Sequence, residues 1–182
     1  MAQFLNTAAA YTEIENIINR AEKKLVLISP LVRLPRVLSQ RLLHAGQSRG
    51  VHVTIVCRKK DLPPDEYAAF RKISWLEVLD MPNLHARCFY NEKTMVITSL
   101  NLSGNVPVNN KEIGVLLTLE RDPEVFRDAV NEAESMIQAA YQLEAGKMLA
   151  RQKQPAEEVS FFDIEGGLKR SFPTFTKILS RR

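Results

Sequence analysis

The sequence predicts an α/β fold in which a mixed β-sheet carries helices on both of its faces. Over roughly the first 80 residues, segments with apolar residues at helical spacing alternate with short apolar runs that are typical of buried strands. Three strand-like runs then follow one another without a helix between them, before one last long amphipathic segment. The chain has 182 residues and is 45% apolar, which is enough for one domain with its own core.

The alternating half of the chain reads as three helices and three strands. The predicted helices cover residues 6–23, 35–47 and 62–73, and the predicted strands cover residues 24–29, 51–57 and 75–79. Asn6 or Thr7 is a suitable N-cap for the first helix. Gly50 follows the second helix as a stop signal, and Pro63-Pro64 suit the first turn of the third.

The second half begins with two strand-like runs, LHARCFYN and TMVITS, which are close enough for a hairpin. Another strand is predicted over residues 112–119. Asp122-Pro123-Glu124 has the character of a helix start, and the helix is predicted to run to about Leu143. Seven apolar residues on it are predicted to face inward: Phe126, Ala129, Val130, Ala133, Met136, Ile137 and Ala140.

Polar residues with useful chemistry gather around this hairpin. Strand alternation places His85 and Arg87 on one face, and Leu84, Ala86, Cys88 and Tyr90 on the other. The residues that open and close the next polar loop are Ser99, Asn101, Asn109, Asn110 and Glu112. We expect this histidine, cation, amide and carboxylate to meet at one sheet edge, where the set suits an anionic phosphoryl group.

These residues resemble the HKD motif of the phospholipase D superfamily, which reads His-x-Lys, then Asp, then Gly-Ser-x-Asn. The matching residues are His85-Ala86-Arg87, Glu92 and Thr98-Ser99-Leu100-Asn101. Arg87 stands where Lys is usual, and Glu92 stands where Asp is usual. NLHARCFYNE and ITSLNL are also similar to a bacterial phospholipase-D-like subgroup that has a single motif and includes nucleases. The resemblance implies a phospholipase-D-like half-unit.

The resemblance also implies a two-step displacement at phosphorus through a phosphohistidine. The catalytic residues it implies are His85 as nucleophile, Arg87 and Asn101 as phosphate ligands, and Glu112 as the partner that orients the imidazole. The predicted substrate-binding residues are Ser99, Asn110 and Lys59. Lys59 belongs to a basic run that is either a solvated loop or a contact to substrate phosphates. Glu92, at the hairpin tip, is interpreted as structural.

One motif supplies one histidine, whereas this chemistry needs two, so a homodimer is predicted. No metal and no cofactor is expected. The favoured function is a metal-independent phosphodiesterase, a nuclease acting on DNA or RNA. The alternatives are a non-catalytic nucleic-acid-binding or regulatory module and a phospholipid-processing enzyme.

The charge divides the chain into a predicted domain, residues 1–145, and a basic, aromatic tail, residues 146–182. The tail holds eight of the 25 Lys and Arg and four of the 21 Asp and Glu, which leaves 17 of each sign in the domain. Four of the eight Phe also lie in the tail: Phe161, Phe162, Phe172 and Phe175. Such a segment could bind nucleic acid, or its Phe could dock on the domain or on a second subunit.

The sequence favours a cytoplasmic protein without integral membrane association. It contains no apolar run of about 18 residues and no secretory signal pattern at its start. Cys57 and Cys88 each lie in an apolar, strand-like run and are predicted to be buried thiols.

Overall fold

The structure of the protein is a computed structural model, which describes residues 1–103 and 110–153, with side chains as far as Leu149. The described strands are β1 (Gln3–Asn6), β2 (Lys24–Ile28), β3 (Val32–Arg33), β4 (His52–Cys57), β5 (Leu76–Asp80), β6 (Cys88–Asn91), β7 (Thr94–Thr98), β8 (Leu102–Ser103) and β9 (Ile113–Thr118). The described α-helices are α1 (Thr7–Arg20), α2 (Arg36–Arg49), α3 (Pro64–Phe70) and α4 (Pro123–Lys153).

Seven of the described strands form one mixed sheet in the order β1-β9-β7-β6-β2-β4-β5, and β3 pairs with β8. Neighbours among β2, β4 and β5 are parallel, whereas β6, β7, β9 and β1 continue the sheet with antiparallel pairs. The predicted mixed sheet is therefore confirmed. Ile28 pairs with both Val56 and Cys88, so the ends of β2 and β4 lie at the edge where β6 begins.

Helices cover both faces of the sheet, as predicted. The face that carries α1, α2 and α3 has a core that includes Ile14, Leu27, Leu42, Phe70 and Phe89. The face that carries α4 has a second core, which includes Val26, Cys88, Tyr90, Met95, Phe126, Ala133, Ile137 and Ala140. The alternation along β6 is confirmed, because Phe89 lies in the first core and its two neighbours lie in the second.

Short elements account for most differences from the predicted fold. The sequence did not predict β1, which pairs antiparallel with β9, nor the two-residue strands β3 and β8. The predicted strand over LHARCFYN is wrong in its first half, because β6 begins at Cys88 and residues 84–87 lie outside it. The predicted helix 62–73 is shorter, with Pro63 as its N-cap.

Helix α4 continues to Lys153, so its predicted end near Leu143 is wrong. Good helix formers follow Leu143, and the single Gly146 costs only about 1 kcal/mol in a helix. Two further side chains fasten this part of α4 to the sheet: Glu144 binds Lys59, and Lys147 binds Asp80. One compact unit spans Met1–Lys147. The remainder of the predicted tail, residues 154–182, lies outside the described residues.

Both cysteines are free and buried, which confirms their predicted burial. Burial raises the pKa of the Cys57 thiol to about 12, and it raises that of Cys88 to about 12 as well. Since the thiolate is the reactive form, this burial disfavours a nucleophilic role for either cysteine.

Candidate active site

The site lies at one edge of the sheet, where β6 begins, β7 ends and β9 begins. Strands β6 and β7 are joined here by the pairing of Cys88 with Ile97. One further hydrogen bond continues this pairing, from the Thr98 N–H to the Arg87 carbonyl at 3.2 Å. On the other side of β7, the Ser99 N–H donates to the Ile113 carbonyl at 3.0 Å. These backbone hydrogen bonds hold Arg87 and Ser99 in place beside the ends of β6, β7 and β9.

Arg87 and Asn101, two of the predicted catalytic residues, contact each other directly. Arg87 Nε donates to Asn101 Oδ1 at 2.8 Å, and Arg87 Nη1 donates to the carbonyl of His85 at 3.2 Å. Because the amide oxygen of Asn101 faces Arg87, its Nδ2 group is turned away with two protons to donate. The pair thus combines a fixed cation with an oriented amide donor, which suits non-bridging phosphate oxygens.

Ser99 and Glu112, two further predicted residues, form a second pair. Ser99 Oγ donates to the Glu112 carboxylate, and the same Oγ accepts from the Ile113 N–H at 3.1 Å. Thr7, the first residue of α1, holds Glu112 by its backbone: the Glu112 N–H donates to Thr7 Oγ1 at 2.8 Å, and that hydroxyl donates to the Glu112 carbonyl at 3.1 Å. The start of α1 thereby holds the backbone of Glu112, and Ser99 holds its carboxylate.

His85 lies just before β6, and its side chain is exposed. Among the described residues no hydrogen bond engages its imidazole ring, and Glu112 binds Ser99 instead of this ring. The described geometry thus leaves the imidazole open to an incoming group, with Arg87 two residues along the chain bonded to the His85 carbonyl.

The two other predicted substrate-binding residues, Lys59 and Asn110, do not bond to the other described residues of the candidate site. Lys59 follows β4 at the same sheet edge, two strands away from β6, and its ammonium binds the Glu144 carboxylate and lies 5.3 Å from the Tyr67 ring centroid. Burial by itself lowers the pKa of Lys59, but Glu144 outweighs it and raises that pKa above its usual value. Asn110 is exposed, next to residues 104–109, which include Asn109 and lie outside the described residues.

Three hydroxyl residues that support the site were not identified as site residues from the sequence. They are Thr7, Ser29 and Thr98. Ser29 is buried after β2; its Oγ donates to the Leu31 carbonyl at 2.7 Å and accepts from the Leu102 N–H at 3.0 Å. Thr98 Oγ1 donates to the Ile113 carbonyl at 2.6 Å and accepts from the Leu100 N–H at 3.2 Å. Thr98 was visible only as the residue before Ser99 in the motif, Thr7 was visible only as a candidate N-cap of the first helix, and Ser29 carried no local signal.

Glu92, the carboxylate of the motif, has the structural role predicted for it. It accepts hydrogen bonds from three successive backbone N–H groups that lead into β2, those of Glu22, Lys23 and Lys24. Burial alone would raise the pKa of Glu92, but these backbone bonds outweigh it and hold the pKa below its usual value. Glu92 therefore joins the hairpin tip to the start of β2, at the sheet edge opposite His85.

Replacing Glu92 with glutamine is expected to lower the free energy of unfolding at pH 7 by about 1–2 kcal/mol, since charge-assisted hydrogen bonds are lost. A lowered folded-state pKa stabilises the fold above the unfolded-state pKa, and this contribution is lost as pH falls through the folded-state value. The difference should therefore shrink on acidification. Urea unfolding from pH 7 to pH 3 measures it, with Glu132→Gln, an exposed change on α4, as the control. Equal stability of the Glu92 variant and the wild type at pH 7 would contradict this role.

No group of three His, Cys, Asp or Glu side chains in the described part is placed to hold a metal ion. Among the same residues, none of the helices combines the length and apolar character needed to cross a bilayer.

The fold is shared with solved structures of phospholipase D family members. The chain matches Nuc from Salmonella typhimurium, a phospholipase D family member, with a TM-score of 0.60 and 18% identity over 74% of this chain and 92% of that one. It matches phosphatidylserine synthase from Haemophilus influenzae Rd KW20 with a TM-score of 0.59 and 18% identity, over 76% and 39%. It matches TrmBL2, an archaeal chromatin protein with a novel mode of DNA binding, with a TM-score of 0.54 and 16% identity, over 74% and 52%.

The chain therefore has the phospholipase-D-like fold, which confirms the predicted resemblance at the level of fold. Comparisons with protein-family models and with curated protein sequences find no match.

Proposed function

We propose that the protein is a metal-independent phosphodiesterase that cleaves DNA or RNA through a phosphohistidine on His85. The observation that carries this proposal is the open imidazole of His85 beside the bonded pair of Arg87 and Asn101. A nucleophile, a fixed cation and an oriented amide donor at one sheet edge are the groups that displacement at a phosphodiester requires.

In the first step an imidazole nitrogen of His85 attacks phosphorus. A nitrogen–phosphorus bond forms, the bond to the leaving oxygen breaks, and a second imidazole protonates that oxygen. In the second step a water oxygen attacks phosphorus and displaces the His85 nitrogen, while the second imidazole takes the proton from the water. The net reaction consumes one water, and Arg87 and Asn101 balance the charge on the non-bridging oxygens throughout.

The second imidazole would come from a second copy of the chain. The sequence has three histidines, and His52 begins β4 at the edge of the sheet opposite His85. His44 lies in the later half of α2, which leads through Gly50 towards that same opposite edge. Neither of the two is positioned to serve the site, so we infer a homodimer in which two His85 rings face each other across a two-fold axis.

Nucleic acid is the preferred substrate class. The groups at the site bind phosphate and do not distinguish a nucleotide from a lipid headgroup, and the fold occurs both in a DNA-binding chromatin protein and in a phosphatidylserine synthase. The basic, Phe-rich sequence of residues 146–182 favours a polyanion with stacked bases over a single headgroup.

A non-catalytic nucleic-acid-binding module is the second candidate. Two observations favour it: Arg87 replaces the lysine of the motif, and Glu112 binds Ser99 in place of the His85 ring. Arginine and lysine are not interchangeable at a tight phosphate site. Such a protein would bind nucleic acid at the same edge and leave it intact.

An assay in excess EDTA separates these candidates. Wild-type protein is incubated with single- and double-stranded DNA and RNA, and in parallel with phospholipid vesicles whose headgroup release is measured. We expect nucleic-acid cleavage that persists with chelator present, and no headgroup release. Binding without cleavage would assign the non-catalytic function, and headgroup release alone would assign the phospholipid enzyme. Cleavage that requires added magnesium would contradict the proposed chemistry.

A further inference from the structure

The short strand β3 carries an exposed arginine beside the segment that holds Asn101. Val32 pairs with Leu102, and Arg33 pairs with Ser103, in parallel register. Val32 and Leu102 are 2% and 1% exposed and lie in the core, whereas Arg33 is exposed. Successive residues of a strand point to opposite sides and paired residues point to the same side, so Arg33 and Ser103 share the side that faces away from the core.

Asn101 belongs to that same outward side. It lies one residue before the buried Leu102, just as Ser103 lies one residue after it, and Asn101 and Ser103 are both only partly buried. The Ser103 N–H donates to the Asn101 carbonyl at 2.8 Å, which keeps these two residues close together. Two residues of extended chain span about 7 Å at most, and paired strands are about 4.8 Å apart, so the backbone of Arg33 lies within about 12 Å of that of Asn101.

The backbone of β3 is held in place on both sides of Arg33. Before it, the Leu31 carbonyl accepts a hydrogen bond from Ser29 Oγ at 2.7 Å. After it, the Leu34 N–H donates to Glu66 Oε1 on α3 at 2.8 Å. No carboxylate among the described residues forms an ion pair with Arg33. Arg33 therefore presents a positive charge from a fixed backbone, next to the site that receives the phosphodiester.

We propose that Arg33 binds a neighbouring phosphate of the substrate strand and thereby selects a polynucleotide over a molecule with a single phosphodiester. The inference rests on the proposed function and names a residue that determines its substrate class. A polynucleotide carries one phosphate per nucleotide, about 3.4 Å apart along the axis for one strand of a duplex, so a further phosphate falls within the span from Asn101 to Arg33. The planar guanidinium donates to phosphate oxygens as a fork.

The position of Arg33 favours a polymer over a lipid headgroup. The single phosphodiester of phosphatidylglycerol would occupy Arg87 and Asn101 and would leave Arg33 without a phosphate. A nucleic-acid strand engages both places at once. Phosphate contacts of this kind position the strand without reading its bases, so the effect of Arg33 falls on binding and not on the chemical step.

The test compares a polymeric substrate with a small one in excess EDTA. The polymer is a labelled single-stranded DNA or RNA of about 12 nucleotides. The small substrate is bis(p-nitrophenyl) phosphate, which has a single phosphodiester. For Arg33→Ala we expect kcat/KM on the polymer to fall about tenfold, mainly through KM, and the slope of log affinity against log salt to decrease by about one. Hydrolysis of the small diester should be unchanged.

Arg71→Ala is the matched control for this substitution. Arg71 is exposed and follows α3, on the connection to β5, which begins at the sheet edge opposite His85. This control should bind and cleave the polymer as wild type does. Equal losses in the two variants would overturn the inference, because they would reflect the overall charge of the protein. A loss of activity on the small diester as large as that on the polymer would also overturn it.

Binding without turnover separates this inference from the proposed chemistry. Fluorescence anisotropy measures the affinity of the labelled polymer for His85→Ala and for the double variant that also carries Arg33→Ala. If wild type cleaves no nucleic acid but the double variant binds more weakly than His85→Ala, the proposed chemistry falls and the phosphate contact stands. If wild type cleaves and these two variants bind equally well, the contact falls and the chemistry stands. Release of phospholipid headgroups without any binding of the polymer would overturn both.

Discussion

Alanine at position 85 is expected to abolish chelator-resistant cleavage, with a loss on the order of 10⁴-fold or more, the scale seen when a covalent nucleophile is removed. The imidazole is exposed and makes no hydrogen bond among the described residues, so the variant should unfold at the same urea concentration as wild type. Activity would be measured as single-turnover cleavage of a labelled DNA or RNA strand in EDTA.

His52→Ala is the matched control, because it removes an exposed imidazole from the opposite edge of the sheet. This variant should keep wild-type activity. A labelled phosphoryl adduct should also be trapped on wild type and on the control, and it should be missing from His85→Ala. Cleavage that survives in His85→Ala would remove the nucleophile from the proposed mechanism.

Mixing His85→Ala with wild type tests whether two imidazoles act together. With a ninefold excess of variant and free subunit exchange, about nine in ten wild-type chains pair with a variant chain. Activity per wild-type chain should then fall about tenfold. Activity that stays constant on mixing would show that each chain works alone, although His85 itself could still be the nucleophile.

The sequence predicted the helices from their period and the central strands from their composition. Helices α1, α2 and α4 repeat apolar side chains at helical spacing, and β2 and β4 are short continuous apolar runs. β1 was missed because four residues with only Leu5 buried show no such repeat. Its position comes from pairing with β9, more than 100 residues away, which no local pattern encodes.

The residues of the candidate site were predicted from a motif, but the residues that hold them in place were not predicted. Arg87, Asn101, Ser99 and Glu112 were chosen by residue type and spacing, and the structure joins them as two bonded pairs. The hydroxyl of Thr7, which holds Glu112, comes from another part of the chain and depends on tertiary structure. The predicted bond from Glu112 to His85 depends on side-chain rotamers that spacing does not determine.

Arg87 distinguishes this chain from the lysine form of the motif, and its substitutions are expected to have the second largest effect. Arg87→Ala should lower kcat by about 10²–10³-fold, the usual loss when one donor to transition-state charge is removed. Arg87→Lys should lose only about tenfold. Lysine keeps the charge that meets the phosphate, but it has no Nε–H to bind Asn101, so the cation is less firmly oriented.

The hydrogen bond between Arg87 and Asn101 also predicts how the losses of activity should combine in a double variant. If the two side chains act as a unit, the fold losses of activity caused by Asn101→Ala and by Arg87→Lys should not multiply. The double variant should then be little less active than the less active of the two single variants. Arg127→Ala, an exposed change on α4, is the control and should retain full activity. Losses that multiply would show that the two residues bind phosphate independently. An Arg87→Lys protein faster than wild type would mean that this chain carries a weakened form of the site, which is the expectation for a module that binds nucleic acid without cleaving it.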